Sequence, residues 1–165
     1  MIRSKAKPEA LKLFMDGSIA LAKVEANGVR IDVPYLERAI KKLGNRVAKL
    51  DAELRQDPVW KMWEEEYGSD ANVGSGPQLA YVVYDLLKHP CKRFTSGKNP
   101  KPSTRKEDLE SIDLPFIKAR SKLMSLKRAK DNNLQGLLRE TVDGFLHPGF
   151  NLHTVSTYRS SSGSE

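Results

Sequence analysis

One pattern constrains this chain more than any other: Leu36, Ile40, Leu43, Val47, Leu50 and Leu54 recur at alternating spacings of four and three residues. An α-helix turns once every 3.6 residues, so these side chains form one narrow apolar stripe along a helix of about five turns. The opposite face is charged. A helix with so thin a stripe pairs with one neighbouring helix and does not sit inside a core. Asp32 can accept hydrogen bonds from free amides at its start, Pro34 suits its first turn, and Asp57-Pro58 breaks it.

Other segments read in the same way. Pro8 to Ala26 is dense in Leu, Ala, Val, Met and Phe and closes on Asn27-Gly28, a left-handed stop, which predicts a first helix. Val59, Met62, Trp63 and Tyr67 predict a short amphipathic helix ending at Gly68, followed by a polar connector, Ser69 to Gly74. Ser75-Gly76-Pro77-Gln78 has the form of a capping box, opening a helix with Leu79, Val82, Val83, Leu86 and Leu87 on its apolar face, and His89-Pro90 ends it. From Pro90 to Pro102 a mobile basic loop is expected. Thr104 with Glu107 repeats the capping-box logic for a short helix through Leu109 and Ile112. Asp113-Leu114-Pro115 opens the last long helix, roughly 115–139, with Ile117, Met124, Leu134 and Leu138 on one face together with Arg120 and Lys127. Phe145-Leu146-His147 and Leu152 to Tyr158, separated by Pro148-Gly149, are strand candidates, and the Ser-rich end encodes no stable structure by itself.

Charge narrows the partners. The net charge is +7, yet residues 88–139 hold 14 Lys/Arg against 5 Asp/Glu, so one central stretch carries the basic character and the remainder sums to −2. Such a stretch suits a phosphate-bearing partner. Trp60, Trp63, Tyr67, Tyr81 and Tyr84 fall in amphipathic patterns among acidic residues, which assigns them to packing and not to base stacking. Cys91 is the only cysteine, so an internal disulfide and a thiolate zinc cluster are both excluded. His89, His147 and His153 lack paired metal-ligand spacing and read as structural, and Ser96-Gly97-Lys98 lacks the remaining residues of a phosphate-binding loop. Without an apolar run of about 20 residues or a signal-peptide core, a cytoplasmic location is expected.

Four ordered blocks resemble the family A DNA polymerases, the DNA polymerase I type. They are Val24-Glu25-Ala26-Asn27-Gly28-Val29-Arg30-Ile31-Asp32; Asn72 to Leu79; Lys101-Pro102-Ser103-Thr104 with Glu107 and Leu109; and His147-Pro148-Gly149-Phe150-Asn151 with Thr157-Tyr158-Arg159-Ser160-Ser161-Ser162. Their order, more than any single block, carries the likeness. The abbreviated tip and Tyr158 look like phage-encoded members. The resemblance implies a mainly α fold: a helix leading into the thumb over 1–31, long antiparallel thumb helices over 32–141 with a small helical tip near 88–113, and a short β segment beginning the palm over 142–165.

The same resemblance implies roles. Arg159 would reach the minor groove near the primer terminus, Ser160 and Ser161 would approach the primer backbone, and Arg120 would lie near the duplex backbone. Met124 stands where the family often has a lysine, leaving Lys122 and Lys127 as the nearest cations, and Tyr158 replaces the usual glycine. Lys98, Lys101, Ser103, Thr104, Arg105 and Lys106 at the tip complete the expected DNA-binding set. The expected function is the duplex-gripping piece of a DNA-directed DNA polymerase, a nucleotidyltransferase of DNA replication. Its partners would be primer-template DNA and the remaining palm and fingers, as part of the same parent chain or as a separate subunit. Mg2+ is expected for the complete enzyme and no cofactor for this piece, because the family's catalytic carboxylates lie beyond the last motif. A split or truncated polymerase, inactive alone, is therefore expected. The competing readings are a non-enzymatic helical DNA-binding or coiled-coil partner-binding protein, and a helical protein with no nucleic-acid role.

Overall fold

The computed structural model describes residues 7–96, 98–152 and 161–163. They form two compact units, one running up to Glu37 and resuming at Gln135, the other spanning Arg38–Leu134. The first helix and the last strands thus share a unit.

The first unit contains α1 (Pro8–Asn27), the beginning of α2 (Val33–Arg55), α7 (Gln135–Glu140) and five short strands, β1 (Val29–Arg30), β2 (Thr141–Val142), β3 (Phe145–Leu146), β4 (Gly149–Asn151) and β5 (Ser161–Gly163). The three-stranded antiparallel sheet has the order β1-β3-β2, with Val29 opposite Leu146 and Val142 opposite Phe145. Strand β5 pairs antiparallel with β4, so this part of the Ser-rich end gains from a partner strand the order it lacks alone. The expected strand from Leu152 to Tyr158 lies mostly outside the described residues; β4 instead takes Gly149–Asn151.

Gly28 ends α1 at φ +64°, and a Cβ there would meet the His147 ring at 2.8 Å and the Leu146 carbonyl oxygen at 3.0 Å. Both the backbone angle and the close approach therefore demand glycine. His147 Nδ1 lies 2.7 Å from the Glu25 carbonyl oxygen, which fits the expected structural histidine. Helix α1 buries none of its residues; Leu11 and Leu13 are 58% and 73% exposed.

In the second unit the seam behaves as its spacing predicts. Val47 and Leu54 are buried, and α2 runs beside the chain's last long helix, with Gly44 near Lys130 and Asp51 bonded to Lys127. Rising position along one helix with falling position along the other makes the pair antiparallel. Asp32 caps α2 by accepting from the Tyr35 amide, as expected. Asp57 does the same for α3 (Pro58–Tyr67) through the Val59 amide. Helix α4 (Gly76–Ala80) continues as π-helical turns over Tyr81–Leu86, and α5 (Lys106–Glu110) precedes α6 (Pro115–Arg128), which continues as π-helix over Ala129–Leu134.

The core of this unit gathers Trp60, Trp63, Leu79, Val82, Val83, Leu109, Phe116 and Leu123 around the foot of α2. Both tryptophans are packed and not presented to solvent. Along α6 the buried residues are Phe116, Ile117, Arg120 and Leu123. Met124 and Leu134 are only partly buried, so the inward face is rotated from the one expected.

Candidate nucleic-acid interface

Gln78 begins the construction of the site. Ser75 caps α4 by accepting from the Gln78 amide, one half of the expected capping box. The Gln78 side chain does not return to Ser75. Its Oε1 accepts from the Trp63 indole N–H at 3.0 Å and the Asn72 amide at 2.8 Å, while its Nε2 donates to the Asp70 carbonyl at 2.9 Å. One amide therefore ties the polar connector to the buried tryptophan. The connector tightens further where Asn72 Oδ1 accepts from the Gly74 amide.

Val73, held in that turn, offers its carbonyl to Arg120 Nε at 2.8 Å. Arg120 is only 9% exposed, and burial alone pushes its guanidinium below the ordinary arginine range. Among the described residues no carboxylate pairs with it. A buried cation without a counter-ion is costly, and its natural complement is an anion brought from outside. Arg120 lines an open groove of about 560 Å³ together with Thr104, Lys106, Lys122, Ser121, Ser125 and Arg128. Four cations and three hydroxyls thus face one opening; only Leu109 and Met124 add apolar lining. These are donor groups suited to phosphate oxygens.

Of the residues expected from sequence, Thr104, Lys106, Arg120 and Lys122 meet in this groove. Lys98, Lys101 and Arg105 are exposed but do not line it. The expected mobile loop folds back as a small hairpin: Phe94 bridges Pro102, the Thr95 amide donates to the Lys101 carbonyl, and the Ser103 amide donates to the Arg93 carbonyl. Ser103 is buried at 2% exposure, its hydroxyl bonded to Asp108 and its carbonyl accepting from the Tyr84 hydroxyl. It braces the tip from within. The Thr104–Glu107 capping box does not form either; Arg105 occupies the cap position of α5 without a side-chain bond.

Lys127 is diverted in a similar way. Its Nζ lies 3.0 Å from Asp51, which also accepts from Arg55 at 2.8 Å. Burial works against ionisation of Asp51, yet the hydrogen bonds from Arg55 and Lys127 outweigh it and hold the carboxyl below its usual range. A depressed folded-state value means stability present above the ordinary aspartate range and lost as pH falls through the folded value. The melting temperature is therefore expected to drop faster for the natural chain than for Asp51→Asn on acidification below about pH 4. Parallel acid profiles would remove this role.

Arg159 and Ser160 lie outside the described residues, and Ser161 pairs opposite Asn151 in the small sheet. Sequence reasoning missed Gln78, Ser121 and Ser125. The last two carried a signal, since 121, 125 and 128 follow helical spacing along one face. Gln78 carried none beyond its place in the capping pattern.

No protein-family model matches the sequence. The curated relatives include the thermostable DNA polymerase I of Thermus aquaticus, 32% identical over 149 residues. DNA polymerase I of Mycobacterium tuberculosis is 28% identical over 146 residues. The matches cover 88% and 86% of this chain but only 17% and 15% of those polymerases. Among solved structures, the POL domain of Pol1 from M. smegmatis, in complex with DNA primer-template and dNTP, superposes with a TM-score of 0.69 at 25% identity. That match covers 86% of this chain and 24% of the POL domain. A mainly helical fold with a small antiparallel sheet is thus shared with a class of nucleic-acid polymerases. The chain is a homologue of the family A DNA polymerases, the DNA polymerase I class, over most of its length.

Proposed function

We propose that this chain is the thumb-bearing part of a DNA-directed DNA polymerase and grips primer-template duplex by its sugar-phosphate backbone. The observation that carries the reading is Arg120: a buried guanidinium, fixed by Val73, without a carboxylate partner among the described residues and open to a groove edged by Lys106, Lys122 and Arg128. Phosphates offset its desolvation, and they are present in every duplex whatever the sequence. Lys98, Lys101 and Arg105 extend the same grip along the tip. In this reading Arg159, with Ser160 and Ser161, attends the primer end, because a guanidinium can donate to minor-groove acceptors that every correct base pair presents.

Nucleotide addition would need the palm and fingers as a partner, and the chain spans about one-sixth of the length of the polymerases it matches. Family A polymerases work with divalent metal. Among the described residues no three His, Cys, Asp or Glu side chains converge to hold one. No described helix is long and apolar enough to cross a membrane, and a cytoplasmic place accompanies the replicative role.

The test is duplex binding by the intact chain and by Lys122→Gln/Arg128→Gln. Each lost phosphate contact is expected to weaken affinity roughly tenfold near 100 mM salt, equally for unrelated duplex sequences. No duplex binding by the natural chain at low salt, or none lost in the double variant, would defeat the proposal.

A further inference from the structure

The groove does not account for all the exposed cations of the second unit. Arg38, Lys41, Lys42, Arg46 and Lys49 are five basic residues within one twelve-residue stretch of α2 that contains no acidic residue. All five are exposed, as is Asn45 between them. Their excess is hidden in the overall count, because acidic residues elsewhere in the chain offset it.

At about 100° per residue, Arg38, Lys42 and Lys49 fall on one line, with Lys41 and Arg46 flanking it, opposite Val47 and Leu54 of the buried seam. Like charges therefore meet as neighbours along the helix surface: Arg38 with Lys41 and Lys42, Lys42 with Arg46, and Arg46 with Lys49. Such spacings destabilise a helix. Among the described residues the one relief is Lys49 with Glu53 at 3.9 Å, between exposed side chains. Among the described residues no carboxylate pairs with Arg38, Lys41, Lys42 or Arg46. None of the five lines the groove.

We propose that this outer stripe of α2 is a second nucleic-acid contact, a rail for backbone phosphates that shares no residue with the groove. The fit is one of length and chemistry. Eleven residues of helix rise about 16 Å, and one DNA strand sets a phosphate about every 3.4 Å along its axis, so about five phosphates pass five cations. No aromatic side chain lies within the stretch 38–49 to stack on a base, so the contact is with backbone and indifferent to sequence. Binding a polyanion also relieves the repulsion that the free helix carries. The inference rests on the duplex-gripping reading and extends it to a surface that the reading does not use.

The experiment compares the intact chain with Arg38→Gln/Lys42→Gln/Arg46→Gln/Lys49→Gln. Glutamine keeps helix propensity and removes like-charge neighbours, so the variant should melt no lower than the natural chain, which verifies its fold. The readout is the slope of log affinity for a sequence-neutral duplex against log salt. Each phosphate released should make it shallower by about 0.9. A change of about two or more supports the rail, and a change of less than about one overturns it. Lys122→Gln/Arg128→Gln runs alongside. If that groove variant weakens binding while the stripe variant does not, the rail alone is wrong; if the natural chain binds no duplex, the underlying reading has failed. Loss in the stripe variant of binding to a polyglutamate peptide, with the duplex slope unmoved, would assign the stripe to an acidic protein partner and overturn the proposal.

Discussion

Raising salt from 50 to 200 mM should cost the chain roughly three to five decades of affinity for duplex DNA, as expected for six to ten phosphate contacts. The groove contributes four cations, Lys106, Arg120, Lys122 and Arg128. Lys98, Lys101 and Arg105 stand exposed along the tip. Seven phosphates met by these residues would give a slope of about −6, since each releases about 0.9 of a counterion. The exposed α2 stripe can only steepen it. Arg120 distinguishes this arrangement from an ordinary solvated face, because an arginine that keeps only 9% exposure has already lost most of its water. For such a group a bound phosphate is a gain not matched by lost hydration, whereas the flexible lysines around it contribute mainly through counterion release. Titration by fluorescence anisotropy across the salt range supplies the slope. A value near −1 would reduce the grip to a single phosphate and make the remaining cations bystanders.

How much of this was readable beforehand varied with how local the cause was. The α2 seam, the cap at Asp32, the break at Asp57-Pro58 and the stop at Gly28 were legible because each depends on residues within a turn or two. The inward face of α6 was not. The projection grouped Met124 and Leu134 with Ile117, but the helix buries Phe116 and Leu123 and changes to π-helix at Ala129. A turn closed five residues apart rotates everything after it, so residues on the two sides cannot be read on one wheel. Ser103 illustrates the converse. Its place in a tip motif suggested contact with DNA, yet its hydroxyl, amide and carbonyl are all used inside the protein, by Asp108, Arg93 and Tyr84. Those partners lie between 5 and 19 residues away for the two side-chain bonds, and no local rule anticipates them. Gln78 was visible as a capping residue but not as the link between Trp63 and the turn that holds Arg120, since that link exists only once three elements meet.

Trp63→Ala should remove about 3–5 kcal/mol from the stability of the Arg38–Leu134 unit, the range for deleting a large aromatic from a core. Trp63 is fully buried, with its ring 5.6 Å from Trp60 and 6.2 Å from Phe116, so truncation opens a cavity between α3 and α6 that rigid neighbours cannot fill. Domains of this size are stable by only about 5–15 kcal/mol, so the unit would be left marginal. The change also reaches the groove. Without the indole N–H, Gln78 loses one of its three anchors, the connector around Asn72 loosens, and Val73 no longer fixes Arg120. Duplex affinity should therefore fall even under conditions where the variant remains folded. Trp63→Phe separates the two effects, because it keeps most of the ring packing and deletes only the donor. Its expected cost is about 1–2 kcal/mol of stability, read from the shift of the urea midpoint multiplied by the slope of the transition, with affinity reduced in the same direction as for alanine. If phenylalanine restored stability and left duplex binding at the natural level, the chain of support from Trp63 through Gln78 and Val73 to Arg120 would be broken, and the groove would owe its shape to α6 alone.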